Sequence, residues 1–562
     1  MVVTLAVSLY SFRATNETLT LLAGAAIIPG FWIAERIIGV SDPRRQTISS
    51  FWFLTYLVMI FWPAFFVYVD EPGPHRNAFL GAVAVAVVAV PAGAGLVTRL
   101  LHSSRGERDA FFSRPLDELR PSKAMFLVCV AIAVAITASV LLYLSLVQDI
   151  PLLYMLRYPG CDLVLAQLRE DAFKLLDPRW NAESGTLLFY LFLPLRTIVD
   201  PFILVAFFGF WFVSRERRWL ILFLVILAVT SFYAASSLAR APVAALVLRM
   251  ALLFYVLRAG HISWRAGAVW TAAVLIFPLI VTFAAYRPGP PPSDCGPAAY
   301  RGPEIGKAAV IDPYLVLTDV AAAPGTSASP ASTPSATNPG TATQGRATAR
   351  PIPTSPILVP TVPPTGPIIT NPVVAATPSP SPTPQLSFGE QVLRGIDPAL
   401  LVARRLSYTE AYALYTYFPV FPSQHDWLWG QTLVKPVLRF WGADFYVENY
   451  VYRVTFPTSP IPTGHLNAAF QSNFYADFGL PGVVVGGVVT GVIMRGLEIY
   501  LWRRRKTILE LATFTVLVYA FWVLHSGSLT SVLITNGALP VLLIAPTMRL
   551  GERLLTRWGI RR

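Results

Sequence analysis

Apolar runs of about 18 residues or more recur along this chain from one end to the other. Each is long enough to cross a hydrocarbon core of about 30 Å as a helix. Lipid offers backbone N–H and C=O groups no hydrogen-bond partner, so such runs must satisfy those groups internally. Charge is correspondingly sparse: 13% of the 562 residues are Asp, Glu, Lys or Arg, against roughly 25% in soluble domains. The expected fold class is an all-α integral membrane protein with about eleven transmembrane helices. They are expected near 18–38, 50–69, 78–99, 124–148, 190–214, 218–237, 241–258, 266–286, 480–502, 507–525 and 530–548. Residues 1–12 are too short to span and lack a cleavage site, which argues for a half-helix or interfacial segment and against a signal peptide.

The net charge of +13 is distributed by topology. Alternate short connections hold Arg44, Arg45, Arg105, Arg108, Arg114, Arg120, Lys123, Arg215, Arg217, Arg218, Arg258, Arg265, Arg503, Arg504, Arg505 and Lys506, and the tail adds Arg553, Arg557, Arg561 and Arg562. The intervening short loops hold little beyond Arg76 and Arg240. The positive-inside rule places the basic set and the C-terminus in the cytoplasm. The basicity is thereby accounted for without nucleic acid as a partner.

This topology leaves two large outside segments. The chain divides into an N-terminal bundle over 1–286 with an outer loop at 149–189, an extracytoplasmic segment over 287–479, and C-terminal helices with a basic tail over 480–562. Within the second segment, 323–385 is so rich in Pro, Thr, Ser and Ala that it is expected to be a disordered linker. The stretch 400–442, "LLVARRLSYTEAY…LRFWG", is aromatic and partly amphipathic, as expected for interfacial helices over the bundle mouth. Cys129 falls in a predicted helix as a small core residue, while Cys161 and Cys295 fall outside, where a disulfide can persist. There is no Walker loop, no HExxH and no Cys/His cluster, so neither a cofactor nor a metal is implied.

Charges in or beside membrane helices mark functional sites by default. Arg196 and Asp200 are four apart and can pair on one helix face, and Arg249 lies near mid-membrane. Arg240 follows Ser236 and Ser237 at the outer start of a helix, where the dipole adds to its field, a setting for an anion such as phosphate. On the same side, residues 464–482 read "GHLNAAFQSNFYADFGLPG". His465 is a candidate general base or hydrogen-bond donor. Asn467 and Tyr475 are candidates to orient a sugar hydroxyl, and Asp477 to orient His465 or accept a proton. Gly479, Gly482, Gly486, Gly487 and Gly491 would let the ninth helix pack closely on a neighbour.

The pattern of "SSLARAP" leading a helix, a large external loop with "PSQHDWLWGQTL", and "HLN…YADFGLPG" before a Gly-rich helix resembles the oligosaccharide repeat-unit polymerases of Wzy type and the related O-antigen ligases. The disordered insert departs from the usual pattern and leaves the loop alignment around 300–400 open. The resemblance implies a glycosyltransferase of polysaccharide biosynthesis in the bacterial inner membrane. Its substrate would be a polyprenyl-pyrophosphate-linked oligosaccharide in membrane lipid, and a chain-length regulator is a candidate partner. It assigns Arg240 to the pyrophosphate and His465 to the attacking hydroxyl, with Arg157, Arg404, Arg405 and Arg453 as further phosphate-holding candidates. The alternatives are a ligase, a transferase using a polyprenyl-monophosphate sugar with Asp70 and Glu71 as its acidic pair, and a lipid-linked glycan flippase or exporter.

Overall fold

The computed structural model describes residues 2–117, 121–147, 150–151, 153, 168, 195–236, 240–258, 263–270, 408–438, 446–457 and 465–558. All belong to one unit, formed by Met1–Ala298 and Gln391–Arg562. Among the described residues there is no strand, and eight helices are long and apolar enough to cross a membrane. They are α1 (Thr18–Ile37), α2 (Ile48–Asp70), α3 (Arg76–Leu100), α4 (Lys123–Ser145), α5 (Leu195–Ser214), α6 (Arg217–Ala234), α8 (Gln471–Trp502) and α9 (Ile508–His525). The predicted seventh span is a helix, α7 (Arg240–Arg258). The predicted eighth lies outside the described residues beyond Trp270, as do Cys161, Cys295 and the linker 323–385. Val2–Thr15 is a helix too short to span, tied to α2 where Trp62 Nε1 donates to Thr4 Oγ1 at 3.0 Å.

The loops counted as one charged set converge on one end of the bundle, here called the basic end. Arg45 pairs with Asp109 at 2.8 Å, Arg503 with Glu107 at 3.3 Å, and Lys506 donates to the carbonyls of Phe112 and Arg114, both at 2.9 Å. Helices that start there are capped. Thr47 and Ser50 form a capping box on α2, Ser122 caps α4 and Thr507 caps α9, each satisfying donors that the first turn leaves unpaired. At the opposite, distal end, Tyr408 donates to Glu71 at 3.4 Å and Arg76 pairs with Glu17 at 3.0 Å.

The C-terminal third carries two corrections. The predicted span 530–548 is broken into Leu529–Leu533 and Val541–Arg557. Asn536, Gly537 and Pro540 interrupt the apolar run, with Gly537 at φ +82, where a side chain is strained. The predicted span 480–502 begins earlier, at Gln471, and is two helical limbs parted at Gly479 (φ 66, ψ −153). A Cβ on Gly482 would meet the Phe474 carbonyl, and one on Gly486 would meet the Phe474 ring. In a straight helix residues 474 and 486 would lie about 18 Å apart, so the chain doubles back at Gly479. The limb 471–478 therefore climbs out of the bundle and 480–502 descends beside it. The descending limb packs on α3 through glycines, as expected. A Cβ on Gly491 would meet the Val90 carbonyl, one on Gly487 the Ala89 methyl, and one on Gly93 the Val488 backbone.

Candidate functional site

The doubling-back decides the environment of every residue in the predicted motif. His465 and Asn467 precede the ascending limb in extended chain and are exposed. Tyr475 and Asp477 are on the limb and are buried, at 5% and 0% exposure. The motif is therefore split into an accessible half and a packed half.

Asp477 does not serve His465. Its carboxylate accepts from the Thr432 N–H at 3.3 Å and from the Thr432 hydroxyl, and its backbone carbonyl accepts from Trp429 N–H at 3.2 Å. Thr432 lies in the first turn of the helix Gln431–Leu438, whose orphan N–H groups and positive dipole end favour an anion there. Asp477 is thus a cap supplied from another segment. Tyr475 is likewise a packing residue: its ring lies 4.0 Å from Phe418 and 5.4 Å from Trp427, and its hydroxyl donates to the Phe421 carbonyl at 3.4 Å. It has no free face with which to orient a sugar.

The carboxylate beside His465 is Glu448. The chain at Leu466 is fixed by its N–H donating to the Glu448 carbonyl at 3.0 Å and by the Tyr417 hydroxyl donating to the Leu466 carbonyl at 3.1 Å. The His465 ring is 5.9 Å from that of Tyr446, and Lys435 Nζ lies 4.3 Å over the same Tyr446 ring. Lys435 pairs with Glu448 at 2.7 Å. Burial alone would raise the Glu448 carboxyl, but Lys435, then a backbone hydrogen bond and then His465 together outweigh it and hold it below the usual carboxylate range. Residues 435, 446, 448 and 465 thus form one charged group at the distal end. Glu410 is a second carboxyl that the sequence reading missed, partly buried on the helical stretch 408–415, with its proton held up to about 7 by burial.

Arg240 is the first residue of α7, as the motif required, while its side chain lies outside the described ones. Arg453 is exposed on the helix Val447–Thr455, and Arg157, Arg404 and Arg405 lie outside the described residues. Arg196 and Asp200 pair at 2.9 Å, as their spacing predicts. Cys129 is a buried free thiol. An apolar groove of about 390 Å³ follows the descending limb, lined by Phe474, Phe478, Pro481, Val485, Val489 and Leu529 among others.

Sequence adjacency pointed to Asp477, twelve residues past His465. The tertiary partner, Glu448, lies seventeen residues before it, in "YVENYVYRV". Its signal was a lone carboxylate among tyrosines on a strongly amphipathic helix. Among the described residues no three His, Cys, Asp or Glu side chains are grouped to hold a metal. Comparison of the chain with protein-family models, with curated proteins and with solved structures gives no match.

Proposed function

We propose that this chain is a membrane glycosyltransferase that polymerises polyprenyl-pyrophosphate-linked oligosaccharide repeat units at the outer face of a bacterial inner membrane. The observation that carries the reading is the exposed His465 held beside Glu448 at the end of a helical bundle opposite its basic loops. An imidazole with a carboxylate close by suits removal of a proton from a sugar hydroxyl. The oxygen then attacks the anomeric carbon of a second lipid-linked repeat. The new glycosidic bond forms as the bond to pyrophosphate breaks, the proton passes to His465, and polyprenyl pyrophosphate departs. The leaving group is stable as an anion, so cationic side chains such as Arg240 suffice to hold its charge.

Asn467 retains its role as an orienting amide on the accessible half of the motif, and Arg453 as an outside cation. Asp477 and Tyr475 are withdrawn from the catalytic set and assigned to packing. The test is the length distribution of lipid-linked glycan in a host with and without the gene. A ladder that depends on the gene supports polymerisation. Transfer of finished glycan with an unchanged ladder points to a ligase, and movement of glycan without new bonds to an exporter.

A further inference from the structure

We infer that the cluster of Arg196, Asp200 and Arg249 is a binding site for a phosphate-class oxyanion inside the distal half of the bundle. The inference rests on charge and hydrogen-bond balance and stands apart from the glycosyltransferase reading. Arg196 is the second residue of α5, and Arg249 lies midway along α7. Asp200 is the carboxylate that both guanidiniums feel. It is already engaged by Arg196 at 2.9 Å and by the Thr230 hydroxyl at 2.7 Å. Among the described residues two cations therefore share one anion, and these three side chains carry a net positive charge inside a membrane-crossing bundle.

The donors are not used up. Arg196 has a side chain only 4% exposed, and its Nε and Nη1 are buried without a hydrogen-bond acceptor; the Nη1 contact to Asp200 is an ion pair outside hydrogen-bond alignment. Arg249 Nε is buried without an acceptor as well. Each guanidinium is instead steadied by a ring, Arg196 at 3.9 Å from Tyr233 and Arg249 at 3.9 Å from Tyr519. The Tyr233 hydroxyl also takes a side-chain hydrogen bond from Arg196, but Nε and Nη1 of Arg196 and Nε of Arg249 stay without an acceptor. Planar forks with unpaired N–H groups match the oxygens of a phosphate or pyrophosphate. A buried charge without a counter-ion is otherwise strongly disfavoured.

The contrast with Arg495 shows that this excess is specific to the site. Arg495 Nε donates to Thr98 Oγ1, Nη1 to Glu498 and Nη2 to the Ile37 carbonyl, at 2.9, 2.9 and 3.2 Å, and none of its nitrogens is left over. That pair is complete as built, whereas the Arg196 cluster is complete only with an added anion.

The test is thermal unfolding of the full chain in lipid nanodiscs during titration with inorganic phosphate, inorganic pyrophosphate or a short-chain polyprenyl phosphate, against chloride at matched ionic strength. A saturable rise in Tm is expected for at least one phosphate. A response to the free anions identifies a soluble source, and a response to the lipid phosphate alone identifies a headgroup. Arg249→Met should weaken the apparent affinity at least tenfold, and Arg503→Ala at the basic end should leave it unchanged. No saturable response of the wild type to any of the three overturns the proposal, whether or not the variants fold. Equal affinity in Arg249→Met, or an equal loss in Arg503→Ala, overturns it too. None of these failures bears on the glycan ladder, which tests the other reading.

Discussion

Two buried arginine–carboxylate pairs, Arg495–Glu498 toward the basic end and Arg196–Asp200 toward the distal end, have the same N–O separation of 2.9 Å and are both almost wholly buried. They differ in how the remaining guanidinium nitrogens are satisfied. Glu498 also accepts the Ser49 N–H at 2.6 Å, and Arg495 reaches Thr98 and the Ile37 carbonyl and stacks on Trp502 at 4.4 Å. The first pair therefore stitches α1, α2 and α3 to α8 and is neutral. Among the described residues the second has one carboxylate for two arginines and leaves guanidinium nitrogens unpaired. Desolvating a charge pair costs about as much as its attraction returns unless the remaining groups are satisfied. The basic end meets that condition and the distal end does not. The bundle is locked at one end and keeps unpaired polar groups at the other.

The largest effect expected is at the lock. Arg495→Met leaves Glu498 buried without its counter-ion, at a cost of about 3–5 kcal/mol. Thermal unfolding in detergent should show a large fall in Tm or loss of folded protein. The double variant Arg495→Met with Glu498→Leu should recover most of the loss. A single variant as stable as the wild type would remove the basis of the contrast. Arg249→Met, by comparison, forfeits chiefly its contact with Tyr519, on the order of 0.5–2 kcal/mol. It should remain folded.

The reversal at Gly479 comes next. Its φ of 66 and ψ of −153 lie in a region open essentially to glycine, and Trp427 stands 3.3 Å from where a Cβ would be. Gly479→Ala should cost about 1–3 kcal/mol, read as a lower Tm and as faster proteolysis of the distal segments. An unaffected variant would mean that the ascending limb does not need the turn.

A smaller effect is expected at Glu448, and its sign follows from its environment. The folded carboxyl is held below its unfolded value, so it contributes stability above the ordinary carboxylate range and loses it as pH falls through the folded value. Glu448→Gln should remove that acid-dependent component, about 1 kcal/mol for a charge-assisted bond that is partly solvated. Unfolding curves from pH 7 to pH 3 that superimpose for wild type and variant would detach Glu448 from Lys435. Asp477→Asn should be comparably mild, because an amide oxygen still caps Thr432, and should leave catalysis intact. A large loss of turnover with normal stability would restore Asp477 to the chemistry.

The features legible in the sequence are those fixed by local spacing or by bulk composition. The Arg196–Asp200 pair follows from four-residue spacing. The grouping of Arg45, Arg503 and Lys506 at one end follows from alternating loop charge. The close packing of α8 on a neighbour follows from glycines at 487 and 491, while the identity of that neighbour, α3, comes from the structure. What local spacing does not show is the chain reversal. "DFGLPG" contains the Gly and Pro that break a helix, and in the structure it is a turn between two limbs rather than the start of a span. The turn puts Tyr475 and Asp477 in the core rather than in solvent. The bond of Asp477 to Thr432, forty-five residues away, and the placing of His465 beside Glu448 have no periodic signature, since the partners come from separate segments of the chain. The eleventh predicted span shows the limit of counting apolar residues: its hydrophobicity is sufficient, but Asn536, Gly537 and Pro540 stop the helix within it.

We propose that the distal end carries the chemistry while the basic end holds the bundle together. This is tested most directly by the lipid-linked glycan ladder of His465→Ala at protein levels and Tm matched to wild type. The expected result is a normally folded protein whose polymer formation falls by roughly 10²–10⁴-fold, the range for loss of a general base. A normal ladder from a normally folded His465→Ala protein would contradict it.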